Sequence, residues 1–524
     1  MENRKRAGSP LPRSKSPVFR RADVVKHTPS EGAVRAAKLR SNSVSQAAGD
    51  GSDQAARLPN TIPTSTPDGP ASQPWDVTSW QSKPIVQDVV YDDAKEVEKA
   101  LNKLESLPPL VGPHEINKLK ALLESAALGK AFILQGGDCA ELFDYCSQDI
   151  IEAKLKILLQ MSLVLVWGTK LPVVRIARIA GQFAKPRSKL TEEVDGKTIP
   201  SFRGDNINGY DVDDRTPDPA RLVSAYFHSA ATLNFIRSTL TSDFASLHHP
   251  FDWSLSHVQS DAVKQRYQEV VKSIMEGLSF MRTVGADTSS SLESVDLFTS
   301  HEGLHLEYEQ TLTRRLRDPA DGQAKWFNTS AHFLWIGDRT RQLNGAHVEY
   351  FRGIENPIGI KVGPSTDPDE LVRLLDIVDA DRKPGRVTLI SRYGAGKIEG
   401  LLPGHIRAVA ASGHRVVWIS DPCHGNTKSS TSGLKTRDFD DIMAELAAAL
   451  RIHKANGSQL NGVHLELTGD AVTECVGGSQ MLTDEDLVIR YDTVCDPRLS
   501  ESQSLDASFL IADWFQNGAM MAVQ

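Results

Sequence analysis

Short apolar runs recur along the chain from residue 131 onward, each closing on polar or glycine-rich residues and most followed by a stretch with helical spacing. They are Ala131–Leu134, Pro172–Ala177, Val295–Phe298, His332–Trp335, Ile358–Lys361, Val387–Ile390, Val416–Ile419 and Val463–Leu467. Near-continuous apolar strands separated by helices predict a parallel sheet buried on both faces. Eight such runs in succession predict an α/β fold, a (β/α)8 barrel of the TIM type.

Other stretches carry the helical period. Val97, Leu101 and Leu104 share one face, Pro108-Pro109 interrupts, and Ile116, Leu119 and Leu123 resume it. This predicts an N-terminal helical extension over residues 73–130, ahead of a catalytic barrel over 131–524. The gap between the second and third runs is long. Its patterning from Pro219 to Phe235 and from Asp261 to Phe280 predicts a helical insertion over about 190–290. The most apolar stretch, Ile157–Trp167, is too short to span a bilayer and predicts a buried helix.

Residues 1–72 break with this rhythm, being rich in Ser, Pro, Arg and Lys and poor in apolar residues. Such a segment cannot bury enough surface to offset its ordering entropy, so a disordered basic tail is expected. Ser9-Pro10, Ser16-Pro17, Thr28-Pro29 and Thr66-Pro67 fit either phosphorylation sites or a plain solvated tail. Arg4-Lys5-Arg6 is a short basic cluster of a common kind. An organelle transit peptide is also basic and Ser-rich, but Glu2 and the missing apolar face count against one. The expected location is cytoplasmic, with an organelle as the alternative.

The formal net charge of −8 argues against nucleic acid as a partner. Five cysteines with no C-x-x-C pair do not form a disulfide framework and fit a reducing compartment.

Barrel enzymes work at the C-terminal ends of their strands. After the first run comes Gln-Gly-Gly-Asp-Cys139; after the second, Arg178, Lys185, Arg187 and Ser188; after the third, His301-Glu302. The fourth gives Asp338 and Arg339, the fifth Lys361, the sixth Arg392, the seventh His424, and the eighth Glu466, with Asp496 beyond. So many cations at one barrel mouth imply an anionic ligand with more than one phosphate or carboxylate. Cys139, His424, Glu466 and Asp496 offer one soft ligand, one imidazole and two carboxylates, a set suited to a divalent transition metal. Taken singly, a strand-end Arg or Lys is more often a surface or salt-bridge residue, Cys139 a small buried hydrophobe, and Asp496-Pro497 a turn. Only convergence favours the functional reading.

Two motifs are decoys. His301-Glu302-Gly-Leu-His305 matches the zinc-protease pattern, but it follows a strand-like run and Gly303 weakens a helix. Gly394-Ala-Gly-Lys397 lacks the Ser or Thr of a phosphate loop and reads as a turn.

Longer motifs carry a resemblance: Gln-Gly-Gly-Asp-Cys139-Ala-Glu, Ala-Gly-Gln-Phe-Ala-Lys185-Pro-Arg-Ser, Phe-Arg-Gly-Asp-Asn-Ile-Asn, Ser-Ala-His-Phe-Leu-Trp335-Ile-Gly-Asp-Arg339-Thr-Arg-Gln-Leu, Asp-Pro-Cys-His424-Gly-Asn-Thr and Cys-Asp496-Pro-Arg-Leu. From about Trp75 to its end the chain resembles the type II 3-deoxy-D-arabino-heptulosonate 7-phosphate (DAHP) synthases of plants and actinobacteria. The resemblance implies a transferase that condenses phosphoenolpyruvate with erythrose 4-phosphate, the first step of the shikimate pathway of aromatic amino acid biosynthesis. It implies a divalent metal on Cys139, His424, Glu466 and Asp496, manganese first, with Co2+ or other divalent ions possible. Arg178, Lys185, Arg339, Lys361 and Arg392 would hold phosphoenolpyruvate, Arg187 and Ser188 the sugar phosphate, and Trp335 the pocket wall. The catalytic residues implied are Lys361, Arg339 and Asp338, with Lys361 or a metal-bound water transferring the proton. A homo-oligomer and an aromatic amino acid effector are also implied, with neither nucleic acid nor membrane as partner.

The chain departs from the family at Asp338, where relatives carry Glu, and at Cys423, where Met is commoner. Cys495 adjoins Asp496, which makes an oxidative Cys139–Cys495 disulfide a hypothesis; unchanged free-thiol titration after mild oxidation would rule it out. A binding protein that kept the fold and lost the chemistry is the second reading, and the intact constellation speaks against it.

Overall fold

Eight parallel strands, Phe132–Gly137 (β1), Val173–Arg178 (β2), Phe298–Glu302 (β3), Phe333–Ile336 (β4), Ile358–Val362 (β5), Val387–Ser391 (β6), Val417–Ser420 (β7) and Gly462–Glu466 (β8), close into a barrel. Each pairs with its neighbours in sequence, and β8 returns to β1. This computed structural model describes residues 74–194, 196–241, 261–283 and 295–518. The basic tail expected over 1–72, with its Ser-Pro and Thr-Pro sites, lies outside the described residues, as do parts of the insertion.

Each of the eight apolar runs contributes a barrel strand. The third is displaced: its apolar residues begin at Val295, whereas pairing with β2 starts at Phe298, so His301 and Glu302 lie on the strand rather than after it. The barrel interior is filled by Ile133, Val174, Ile176, Phe298, Phe333, Trp335, Ile390, Val417 and Ile419.

The two helices of the extension are Ala94–Glu105 (α1), capped by Asp93, and Pro113–Ala127 (α2). Leu119, Leu123 and Ala126 of α2 join the interior cluster, and Asn461 Nδ2, just ahead of β8, donates to Ala126 O at 2.8 Å. The extension therefore closes the end of the barrel remote from the loops that follow the strands. The crossover from β1 to β2 is Gln148–Thr169 (α3), apolar nearly all round. Such a helix needs cover on every side. The barrel supplies one face and Glu501–Asn517 (α11) another. A Cβ at Gly168 would lie 2.2 Å from Ala512 Cβ, so the two helices touch backbone to backbone there.

In the expected insertion, Ala220–Leu240 (α4) and Asp261–Thr283 (α5) are the two helices. They are preceded by a hairpin, Thr191–Val194 with Lys197–Pro200, which the helical expectation did not include. Gly196, whose φ is positive (73°), permits the tight turn that joins the two strands. Two further hairpins, Thr313–Arg317 with Ala324–Asn328 and Thr427–Ser429 with Lys435–Arg437, also lack apolar runs. The remaining helices follow the barrel strands: Leu306–Thr311 (α6), Ala346–Phe351 (α7), Pro368–Val378 (α8), Ile398–Ser412 (α9) and Phe439–Ala455 (α10). None of the described helices is long and apolar enough to cross a membrane.

Overpacking the α3–α11 contact should be costly. Gly168→Val is expected to destabilise the fold by about 1–3 kcal/mol, read as a lower Tm in thermal unfolding, while Gly400→Ala, where a Cβ meets nothing within 4 Å, should not lower it.

Candidate active site

The site begins with strand register. Gly137 of β1 stands level with Arg178 of β2 on one side and Glu466 of β8 on the other. Gly137 has φ 143°, and a Cβ there would meet Arg178 O at 2.6 Å. Glycine at this point lets the Arg178 guanidinium reach across β1 and donate to Glu466 Oε1 at 3.0 Å. Two residues on, the chain delivers Cys139.

The Cys139 thiol and one carboxylate oxygen each of Glu466 and Asp496 lie within 4.8 Å of one another. His424 joins through Glu466, its Nε2 3.0 Å from Oε1. The other ring nitrogen, Nδ1, is 2.7 Å from Asp421 Oδ2, a contact that orients the imidazole. Glu466 is fully buried between Arg178 and Arg437, the latter donating to Oε2 at 2.7 Å. Burial pulls its carboxyl upward, but His424, Arg437 and Arg178 hold it well below the usual carboxylate range. Asp496 takes Lys185 at 2.8 Å and Lys435 at 2.9 Å, and Lys185 overcomes burial to depress it likewise. Cys139 and Cys495 are free thiols. Burial and the hydrogen bond that Cys139 donates to Cys495 push Cys139 up; that same bond and Lys185 overcome burial at Cys495 and bring it down to about 6.

A buried ion network holds these donors in place. Arg498, two residues past Asp496, donates to Asp138 Oδ1 at 2.8 Å and Glu474 Oε1 at 2.7 Å. Asp138 precedes Cys139 and also pairs with Lys154 of α3. The two ends of the donor cluster are thus tied by one guanidinium.

Above the donors opens a cavity of about 820 Å³. Arg178, Lys185, Arg187, Ser188, Trp335, Asp338, Arg339, Lys361 and Arg392 all line it, together with Cys139, His424 and Asp496. Glu466 lies beneath, out of contact with the opening. Trp335 packs its ring under Arg178 (5.3 Å) and Lys361 (5.9 Å). Lys361 pairs with Asp421, yet burial lowers its pKa. Arg392 donates to Asp338 Oδ2 at 3.2 Å and His424 O at 3.1 Å. Arg339 donates to Ser188 Oγ at 2.7 Å, and Arg187 pairs with Glu192 of the unanticipated hairpin.

Several residues of the site escaped the sequence reading. Asp421 stands three residues before His424 in the same motif. His464, two before Glu466 on β8 and so on the same strand face, contacts Arg178 at 2.7 Å. Lys435 and Arg437 share one face of a hairpin that sequence periodicity did not mark. Glu302 lines the cavity with Oε1 free of hydrogen bonds among the described residues, and burial raises its carboxyl against the pull of Lys361 and Arg339. The sequence places Glu302 at a strand end but assigns it no role. That motif has no protease geometry: His301 lies on β3 and pairs with Glu309 at 2.7 Å, while His305 caps α6. Gly394–Lys397 is a turn leading into α9.

A sequence model described as the class-II DAHP synthetase family matches residues 75–512. The chain belongs to that family. It is 56% identical over 463 residues to a phospho-2-dehydro-3-deoxyheptonate aldolase of Neurospora crassa, covering 86% of this chain and 96% of the relative. It is 47% identical over 441 residues to one of Streptomyces coelicolor, covering 84% and 97%. A relative of the same name plus AroG from Mycolicibacterium smegmatis is 46% identical, covering 83% and 94%. The protein is therefore an enzyme, a DAHP synthase of the first shikimate-pathway step.

In this DAHP synthase, removing the tying guanidinium should leave Asp138 and Glu474 buried and under-compensated. Arg498→Met is expected to cost about 3–5 kcal/mol of stability, measured by denaturant unfolding; a loss below ~1 kcal/mol would mean the network does not hold the donors.

Proposed function

We propose that the enzyme condenses phosphoenolpyruvate with D-erythrose 4-phosphate and water, giving DAHP and inorganic phosphate, and that it does so with a divalent metal. The observation that carries this reading is the convergence of a thiol, an imidazole and two carboxylates at the base of one cationic cavity. The donor chemistry fits a first-row transition metal better than magnesium or calcium, which favour all-oxygen shells. Cys139, His424, Glu466 and Asp496 would hold it; manganese is the expected ion, with cobalt or another divalent ion accepted. When bound, it supplies Lewis-acid polarisation of the sugar aldehyde.

The chain's own residues do the rest. Arg178, Lys185, Arg339, Lys361 and Arg392 bind the phosphate and carboxylate of phosphoenolpyruvate, and Arg187 and Ser188 bind the sugar phosphate. A cavity of about 820 Å³ accommodates both molecules. Held in attack geometry, C3 of phosphoenolpyruvate bonds to the aldehyde carbon. The aldehyde oxygen takes a proton, and Lys361, whose pKa burial lowers, is placed to deliver it. Water adds at C2, the bond from C2 to the phosphate oxygen breaks, and inorganic phosphate leaves. The surrounding cations stabilise the charge that develops. Asp338, by engaging Arg392, sets the orientation of one anion-binding group. Feedback inhibition by an aromatic amino acid and a homo-oligomeric state belong to the same reading, as what the family likeness implies; the location proposed from the basic tail is cytoplasmic, with an organelle as the alternative.

Mixing both substrates with the enzyme should consume phosphoenolpyruvate, a chelator should stop this, and added Mn2+ should restore it. Cys139→Ala should lose bound metal and activity together, by on the order of 100-fold or more; full activity in that variant would sink the ligand assignment. Titrating activity against Trp, Phe and Tyr should show inhibition by at least one of them, and insensitivity to all three removes the effector from the reading.

A further inference from the structure

Glu445 sits on α10, outside the barrel wall, with no exposed surface. Among the described residues, none of its hydrogen-bond partners lines the cavity. It accepts hydrogen bonds from the backbone N–H of Tyr393 at 2.7 Å and Gly394 at 3.0 Å, in the loop after β6. It also accepts from Asn426 Nδ2 at 2.8 Å, in the loop after β7. Asn426 in turn takes the N–H of Ala395 at 3.0 Å on its Oδ1 and donates to Pro422 O at 2.8 Å. The two loops are pressed together here: a Cβ on Gly425 would lie 2.2 Å from Gly394 N.

One of these loops begins with Arg392 and the other carries His424, and Arg392 reaches across to His424 O at 3.1 Å. All three partners of Glu445 are donors, which favours the carboxylate, while burial pulls its pKa up to about 7. Burying a carboxylate is costly unless its hydrogen bonds are needed, and a leucine would fill the same space without that cost. The cluster thus commits a buried carboxyl, with three hydrogen bonds, to fixing two loops whose working residues lie elsewhere.

We propose that Glu445 is a positioning residue of the reaction: it clamps the loops after β6 and β7 from behind, and so sets the Arg392 guanidinium relative to His424 where phosphoenolpyruvate binds. This rests on the reading above that Arg392 holds phosphoenolpyruvate. The sugar-phosphate residues Arg187 and Ser188 lie after β2 and are not touched by the clamp, so of the two sets of anion-binding residues only the one for phosphoenolpyruvate is affected.

Glu445→Gln keeps the volume but turns one acceptor into a donor facing other donors. In the full-length enzyme it should raise KM for phosphoenolpyruvate on the order of tenfold and leave KM for erythrose 4-phosphate within about twofold. It should also shrink the rise in Tm that phosphoenolpyruvate alone gives. Glu445→Asp, which keeps the charge, should fall between Gln and wild type, and it serves if the Gln variant does not fold. Both KM values rising in proportion, or neither moving in either folded variant, overturns the proposal. Wild-type enzyme that fails to turn over the two substrates refutes the proposed function instead, and the wild-type assay separates the two failures.

Discussion

The level alignment of Arg178, Gly137 and Glu466 on three adjacent strands is the constraint on which the site depends. It exists only because β8 returns to β1. Closure brings Cys139 beside Asp496, 357 positions later in the chain, and sets a guanidinium over a carboxylate that lies wholly inside the protein. A one-residue slip of β1 would turn Gly137 away and put a side chain where the Arg178 backbone now passes.

Around that alignment the electrostatics are arranged in pairs. Arg178 faces Glu466, Lys185 faces Asp496, Lys361 faces Asp421, and Arg392 faces Asp338. A chain of net charge −8 can therefore line a cavity with cations without leaving them unbalanced. The same pairing explains the opposing shifts at the site. Carboxylates beside cations stay ionised at Glu466 and Asp421, whereas Glu302, with no hydrogen bond to its Oε1, is raised by burial. Low-dielectric surroundings amplify both effects.

The barrel was legible because parallel strands covered on both faces must be apolar almost throughout, as in Ile358–Val362 and Val387–Ser391. The strand ends then pointed to the cavity residues, since a (β/α)8 topology places them at one mouth. What escaped had weaker signals. The hairpin carrying Lys435 and Arg437 is short, and its exposed arm has no apolar run. His464 lies within the run Val463–Leu467, and nothing in the sequence marks it as a partner of Arg178. Glu302 stood at a strand end without an assigned role, since its motif matched a different chemistry, and its place on β3 sets it in the cavity wall. Glu445 gives no signal in sequence at all, because its role is set by the backbone N–H groups it meets.

The contact of α3 with α11 bears on how such a chain comes to be folded. Helix α3 is made early, with apolar residues on nearly every side, yet one face is covered only by a helix synthesised after the last barrel strand. Strand β1 likewise waits for β8. During translation an oily helix and an open sheet edge stand uncovered while most of the barrel is still unmade, the kind of surface that chaperones bind. The architecture that unites distant residues at the mouth thus leaves these surfaces uncovered until β8 and α11 have been made.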